Sequence, residues 1–309
     1  MSGFLKALVM LAALAAGSPF ARPDVGAAAD AAAAASADAD ADAGAGAGAS
    51  ISALIADAIA DPARPSDQVA RDADRKPAGV AAFSGLRPGA RVADFMSGGG
   101  YFTRIFSRIV GPSGRVYAFL PDEQLAHCRA EEVAGTRALE HQAASEQKPA
   151  FEHKRASEHR LAFANVSVLT GPANDFRAPE PLDLVFTSQN YHDLHDKFMR
   201  PTDAAVFNRA VFNALKPGGA FVIIDHAAQP GSGLRDTDIL HRIDPASIIR
   251  EVQAAGFVLE AQSDLLRNPA DNHMLMVFAP EVRGHTDQVF LRFRKPLEVL
   301  SPSLHPEGQ

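Results

Sequence analysis

Two stretches of this chain carry residue types and spacings that could do chemistry. The first is Asp94-Phe95-Met96-Ser97-Gly98-Gly99-Gly100-Tyr101-Phe102-Thr103, where a short apolar run ends in a carboxylate and three glycines. Glycines in such a turn let the backbone approach a ligand, and the helix that follows opens with N–H groups aimed at it. The dinucleotide fingerprint needs a further glycine three residues after its second, and Thr103 holds that place. The second stretch is Ser188-Gln189-Asn190-Tyr191-His192-Asp193-Leu194-His195. His192 beside Asp193 offers an imidazole and a carboxylate for proton transfer near neutral pH, although a histidine that caps a helix or packs on its own loop is the plainer reading. Asn190 and Tyr191 are expected to shape the pocket.

A third polar set, Asp225, His226, His241, Arg242 and Asp244, has the donor types of a divalent-metal site. It lacks a tight spacing such as H-E-x-x-H, and an Arg242–Asp244 ion pair at a helix start accounts for it more simply. No metal is therefore expected, and His226 could instead face a substrate. Cys128 is the single thiol, which excludes an intramolecular disulfide and a multi-thiolate zinc site. No nucleophile elbow is present, so a hydrolase triad is not supported.

The elements that must position these residues alternate between strand and helix. Arg91–Phe95, Arg115–Leu120, Asn165–Leu169, Leu182–Thr187 and Ala220–Asp225 read as strands. Tyr101–Val110, a long polar segment from Glu123 to about Gln147, Asp203–Leu215 and Pro245–Ala255 read as helices, the last capped by Asp244 with Pro245 at its first position. Repeated β-α units imply a doubly wound, mostly parallel sheet with helices on both faces. Val258–Asp264 and Met274–Ala279 are separated by too few residues for a crossover helix, which predicts a C-terminal antiparallel hairpin. Ahead of the first strand, short helices are expected over Ser52–Ala60, Pro65–Asp74 and Ala78–Ser84. The charges from Arg71 to Lys76 read as a solvated face.

The first fifty residues have a different texture. Lys6 precedes the apolar run Ala7–Ala16, followed by Gly17 and Ser18, the pattern of a secretory signal peptide over residues 1–21. Residues 22–50 repeat Ala-Asp and Ala-Gly pairs and lack the bulky side chains that offset ordering entropy, so they read as a disordered linker. The remaining domain, 51–309, carries −4 of the chain's net −7. That near balance argues against nucleic acid and against stable membrane association once the signal is cleaved. A periplasmic or secreted protein is expected, with its oligomeric state open.

The linked motifs resemble a known family. Asp94–Gly100 is similar to motif I of class I S-adenosylmethionine-dependent methyltransferases, and Leu215-Lys216-Pro217-Gly218-Gly219 to the turn before their fifth strand. Leu182–Thr187 resembles their fourth strand, and the hairpin completes a match over roughly residues 78–280. Arg75-Lys76-Pro77, Gly98–Ser107, Gln189–Leu194, Asp225-His226 and Leu240–Asp244 further resemble a bacterial group of usually exported methyltransferase-like proteins. The resemblance implies a Rossmann-like α/β fold, S-adenosylmethionine as cofactor and an unknown, small-molecule acceptor. Cofactor contacts are expected at Asp94, Ser97, Gly98, Gly99, Gly100, Asn174, Asp175, Gln189 and Asn190, and catalysis, from residue type and place alone, at His192 with Asp193.

Three positions depart from the family pattern. Met96 replaces the first glycine of motif I, Leu120 the ribose-binding acidic residue after the second strand, and Pro172 the acidic residue after Gly171. Asp122 or Glu123 could serve the ribose two or three residues later. These departures keep a second expectation alive, an exported, non-catalytic binding domain on the same fold. A nicotinamide-dependent oxidoreductase ranks third.

Overall fold

The computed structural model describes residues 51–145 and 163–297, so the expectations for residues 1–21, for 22–50 and for the end of the long helix lie outside the described residues. Seven strands form one sheet: β1 (Arg91–Phe95), β2 (Arg115–Pro121), β3 (Val166–Gly171), β4 (Leu182–Ser188), β5 (Leu215–His226), β6 (Val258–Gln262) and β7 (Gln288–Arg294). Their order is β3-β2-β1-β4-β5-β7-β6. The first five are parallel, and β7 runs antiparallel between β5 and β6.

The strands are apolar on both sides because both faces of the sheet are covered. One face packs Phe95, Phe119, Val185, Phe221 and Phe293 against Phe207, Val211, Ile248 and Val252. The other packs Val92, Val116, Phe186, Val222 and Phe290 against Phe102, Ile105, Phe106 and Val80. Successive strand residues alternate between these two layers, as the pleat requires. The helix Tyr101–Val110 keeps its expected bounds, and Asp203 and Asp244 cap the helices Ala204–Ala214 and Pro245–Ala254 by accepting from N–H groups of their first turns.

Three expectations about elements change. The polar segment after β2 is two helices, Asp122–His127 and Ala130–Ser145, because Cys128 between them is extended. The antiparallel partner of β6 is β7, not Met274–Ala279. The apolar run that suggested a strand there lies in a loop, with Met274, Leu275, Met276 and Phe278 exposed, while Val289, Phe290, Leu291 and Phe293 supply the buried strand. The Pro65–Asp74 helix is divided into Ser66–Val69 and Asp72–Arg75. Among the described residues no helix is long and apolar enough to cross a membrane.

Candidate functional site

Strand order reverses between β1 and β4, and a cavity of about 640 Å³ opens there at the carboxyl ends of the strands. The glycine loop after β1 forms one end. Its carbonyls are held from outside: Thr136 Oγ1 donates to Gly98 O at 2.8 Å, Gln68 Nε2 to Gly99 O at 2.9 Å, and Arg104 Nη1 to Gly99 O at 2.7 Å. A Cβ on Gly135 would stand 2.4 Å from Gly99 O, so the helix Ala130–Ser145 can press on the loop only through a glycine. Gly98 has open space around it, and Gly100 caps the next helix without a side-chain hydrogen bond. The first turn of that helix therefore keeps N–H groups for a ligand.

Met96 resolves one of the three departures. It takes the left-handed conformation, φ 55°, that a glycine would take, and its side chain turns into the core rather than blocking the turn. Its N–H donates to Phe119 O and its carbonyl accepts from Asn190 Nδ2 at 3.0 Å. Gln189 at φ 66° and His241 at φ 54° line the same cavity. Three non-glycine residues in a conformation costing of order 1 kcal/mol or more each thus surround one space, the pattern of a site whose geometry is enforced by its surroundings.

Asp94 lies buried at the base of the loop and accepts from Thr103 Oγ1 at 2.6 Å. Burial pushes its pKa up to about 6, against the hydrogen bond from Thr103 and the charge of Arg75. Arg75 belongs to the segment read as a solvated face, yet it turns inward. Its guanidinium sits 4.6 Å from the Tyr101 ring centre and donates to Ser188 Oγ at 3.1 Å. Desolvation lowers its pKa to about 10.

The other end of the cavity is made of histidines and carboxylates. His192 Nδ1 is 2.8 Å from Asp225 Oδ1, and His192 Nε2 is 3.1 Å from Asp193 Oδ1. Burial would favour neutral His192, but the charges of Asp225 and Asp193 prevail and hold its pKa well above the ordinary value. Burial would raise Asp193, and the His192 charge outweighs it, leaving a pKa of about 2. Asp196 is pushed up to about 6 by burial. His226 also faces the cavity, with Nδ1 2.6 Å from Thr286 Oγ1. Burial, then the charges of His192 and Arg242, depress its pKa far below the usual range, so it is a neutral imidazole.

Of the residues singled out by sequence, Asp94, Ser97, Gly98, Gly99, Gln189, Asn190, His192 and Asp193 line this one cavity. Gly100 stands just behind it as the helix cap. Asn174 and Asp175 do not join them: Asn174 binds Pro201 O and the N–H of Asp203, while Asp175 pairs with Arg177. Tyr191 points into the core, donating to Glu251 and accepting from Asn208. Arg242 pairs with Asp271, both fully buried, rather than with Asp244. Leu120 is buried, Glu123 accepts from the N–H of Ala173, and neither Asp122 nor Glu123 lines the cavity. Sequence reasoning missed Gln68, Arg75, Gln124 and Asp196. Asp196 carried a local sign, the His-Asp-Leu-His-Asp run from 192 to 196, and Arg75 stood in the Arg75-Lys76-Pro77 motif without a role assigned to it.

No protein-family model matches the chain. In sequence it is similar to the ubiquinone/menaquinone biosynthesis C-methyltransferase UbiE of Vibrio cholerae, 26% identical over 212 residues, covering 68% of this chain and 63% of the relative. The protein of the same name from Ectopseudomonas mendocina is 27% identical over 210 residues, covering 68% and 64%. The chain thus spans under two thirds of the length of these curated relatives. Among solved structures it is similar to an Aquifex aeolicus S-adenosylmethionine-dependent methyltransferase, with 17% identity, TM-score 0.43, and 70% of this chain and 88% of that one covered. The [4+2]-cyclase SpnF gives 18% identity, TM-score 0.49, and coverage of 73% and 81%. With its 3-2-1-4-5-7-6 sheet and glycine loop, the chain has the fold of the class I S-adenosylmethionine-dependent methyltransferase superfamily and is similar in sequence to members of it.

Proposed function

We propose that the protein transfers a methyl group from S-adenosylmethionine to a small-molecule acceptor. The observation that carries this reading is the single cavity joining the glycine loop to the His192–Asp193 wall. When bound, the cofactor supplies an electrophilic methyl carbon: the acceptor's lone pair takes it in line, and the S–C electron pair returns to sulfur. The chain's part is to hold both partners in that line.

The residues fit the cofactor at its methionyl end. Asp94 as carboxylate suits an ammonium group, and the uncapped helix start beyond Gly100 suits a carboxylate. At the ribose the family's acidic residue is missing. Gln124 lines the cavity there, and its buried Oε1 has no hydrogen-bond partner among the described residues, which fits it to accept from a hydroxyl. His192, already bonded to two carboxylates, is suited to orienting the acceptor rather than taking its proton. The neutral His226 is the imidazole placed to accept one. Phe198, Val277 and Phe278 give the opening an apolar rim, which favours an acceptor with an apolar part.

Calorimetry of the full chain with S-adenosylmethionine and S-adenosylhomocysteine tests the reading. Micromolar binding of both supports it, and no heat at millimolar ligand sinks it. Export, proposed on Lys6 and the apolar run Ala7–Ala16, is tested by fusing residues 1–50 to a reporter active only outside the cytoplasm. A silent fusion contradicts it.

A further inference from the structure

The histidine end of the cavity contains more than an acid–base pair. His192, Asp193, Asp196 and His241 each present a donor atom, and these four atoms lie within 4.8 Å of one another. His192 Nε2 is 3.1 Å from Asp193 Oδ1 and 3.3 Å from His241 Nδ1, and His241 Nδ1 is 3.7 Å from Asp196 Oδ2. Donors around an ion held at about 2.1 Å stand roughly 3–4 Å apart, so these separations are those of a coordination shell.

Asp196 is the independent sign that something binds there. It is 2% exposed, and both its carboxylate oxygens lack a hydrogen-bond partner among the described residues. A carboxylate removed from water with no donor is costly, and a bound cation is what would offset that cost. Asp225 supplies the outer support. It is fully buried, accepts the backbone N–H groups of His192 and His226, and accepts a hydrogen bond from His192 Nδ1–H at 2.8 Å. When a cation displaces the Nε2 proton, Asp225 keeps the other proton on Nδ1 and the Nε2 lone pair is turned to the cluster, the arrangement by which a carboxylate orients a metal-binding imidazole. His241 is held in a left-handed backbone conformation that brings its ring to the same point.

We infer that His192 Nε2, Asp193, Asp196 and His241 Nδ1 together bind one divalent first-row transition cation. Two imidazoles with two carboxylates suit zinc, iron(II) or manganese better than magnesium or calcium, which prefer all-oxygen shells. Three of the four side chains line the cavity, so an ion that expands beyond these four donors would present its further coordination position there. A water or an acceptor oxygen would take that position; this role, unlike the site itself, rests on the methyl-transfer reading.

The full chain, untagged and stripped with EDTA, is titrated with zinc by calorimetry and with cobalt(II) by visible spectroscopy. One ion per chain is expected. Asp196→Asn and His241→Gln should each weaken it at least about tenfold, whereas His195→Gln, on the same turn but paired with Glu251, should not. Melting curves without metal establish that each variant folds. Should one fail to fold, anomalous scattering from wild-type crystals soaked in zinc decides instead, with a peak among the four side chains expected. No binding tighter than millimolar, binding untouched by both substitutions, or an anomalous peak only elsewhere would overturn the site. S-adenosylmethionine binding measured on the same samples keeps the two readings apart, because neither measurement requires the other ligand.

Discussion

The two ends of the cavity are built in opposite ways. The glycine end is one contiguous stretch whose backbone does the work, held by side chains of Gln68, Arg104 and Thr136 bonded to its carbonyls. The histidine end is made of side chains from separate segments, with His192 and His241 49 residues apart, meeting over Asp225 at the end of β5. A backbone site depends on the absence of Cβ atoms at a few adjacent positions. A side-chain site depends on the fold bringing distant residues within a few ångströms, and it tolerates a different composition at each position until the cluster fails.

The largest expected effect breaks the glycine end alone. In Gly99→Asp the new Cβ meets only Gln68 Nε2, at 3.8 Å, an ordinary van der Waals contact. Its carboxylate would enter the cavity beside the cofactor's own, weakening S-adenosylmethionine by more than roughly 100-fold in calorimetry. Zinc binding should be unchanged. The next test loosens the histidine end. Arg242 holds Asp271, Leu275 O and Ala227 O together beneath the His241 loop. Arg242→Met takes the cation from the buried Asp271, leaving it only the N–H groups of His273 and Asp287, and should cost about 3–5 kcal/mol in denaturant unfolding.

Asp94 sharpens the comparison through pH. Its folded pKa of about 6 lies above the ordinary 3.8, so its contribution to stability is fully present below about pH 3.8 and lost as pH rises through 6. Asp94→Asn should therefore stabilise the ligand-free protein at pH 8 by about 2–3 kcal/mol. It should also weaken the cofactor, whose binding to the wild type should decline as pH falls through 6. Greater affinity for the cofactor at pH 5 than at pH 8 would contradict the ammonium-binding role. The smallest effect is expected of Gln68→Ala, which leaves Gly99 O with Arg104 as its remaining side-chain donor and should cost about 1 kcal/mol of stability with a several-fold loss of cofactor affinity.

The same contrast explains what could be read from the sequence. β1 and the helix Tyr101–Val110 were legible to the residue because alternation, glycines and helical spacing are local. The antiparallel end of the sheet was legible in kind but not in place. Met274–Phe278 has the composition of a strand, and only tertiary packing shows that Val289–Phe293 fills the core in its stead. Asn174 and Asp175 followed from family spacing, yet Pro172 and a Glu123 bonded to the Ala173 N–H lead that turn away from the cavity. Arg75 looked like one charge among several, and its inward course depends on the rings of Tyr101 and Phe102 beneath it. His192 and Asp193 were visible as a pair. Asp225 and His241 were grouped apart from them, because no spacing rule joins residues that meet only through the sheet.

The central claim is that one cavity receives the methyl donor along the glycine loop with its reactive end toward the histidines. A crystal structure of the full chain with S-adenosylhomocysteine tests it most directly. The account predicts the amino acid end of the ligand against Asp94 and Gly98–Gly100, with its sulfur on the side of His192 and His226. Ligand bound outside this cavity, or an empty cavity at millimolar ligand, would contradict it.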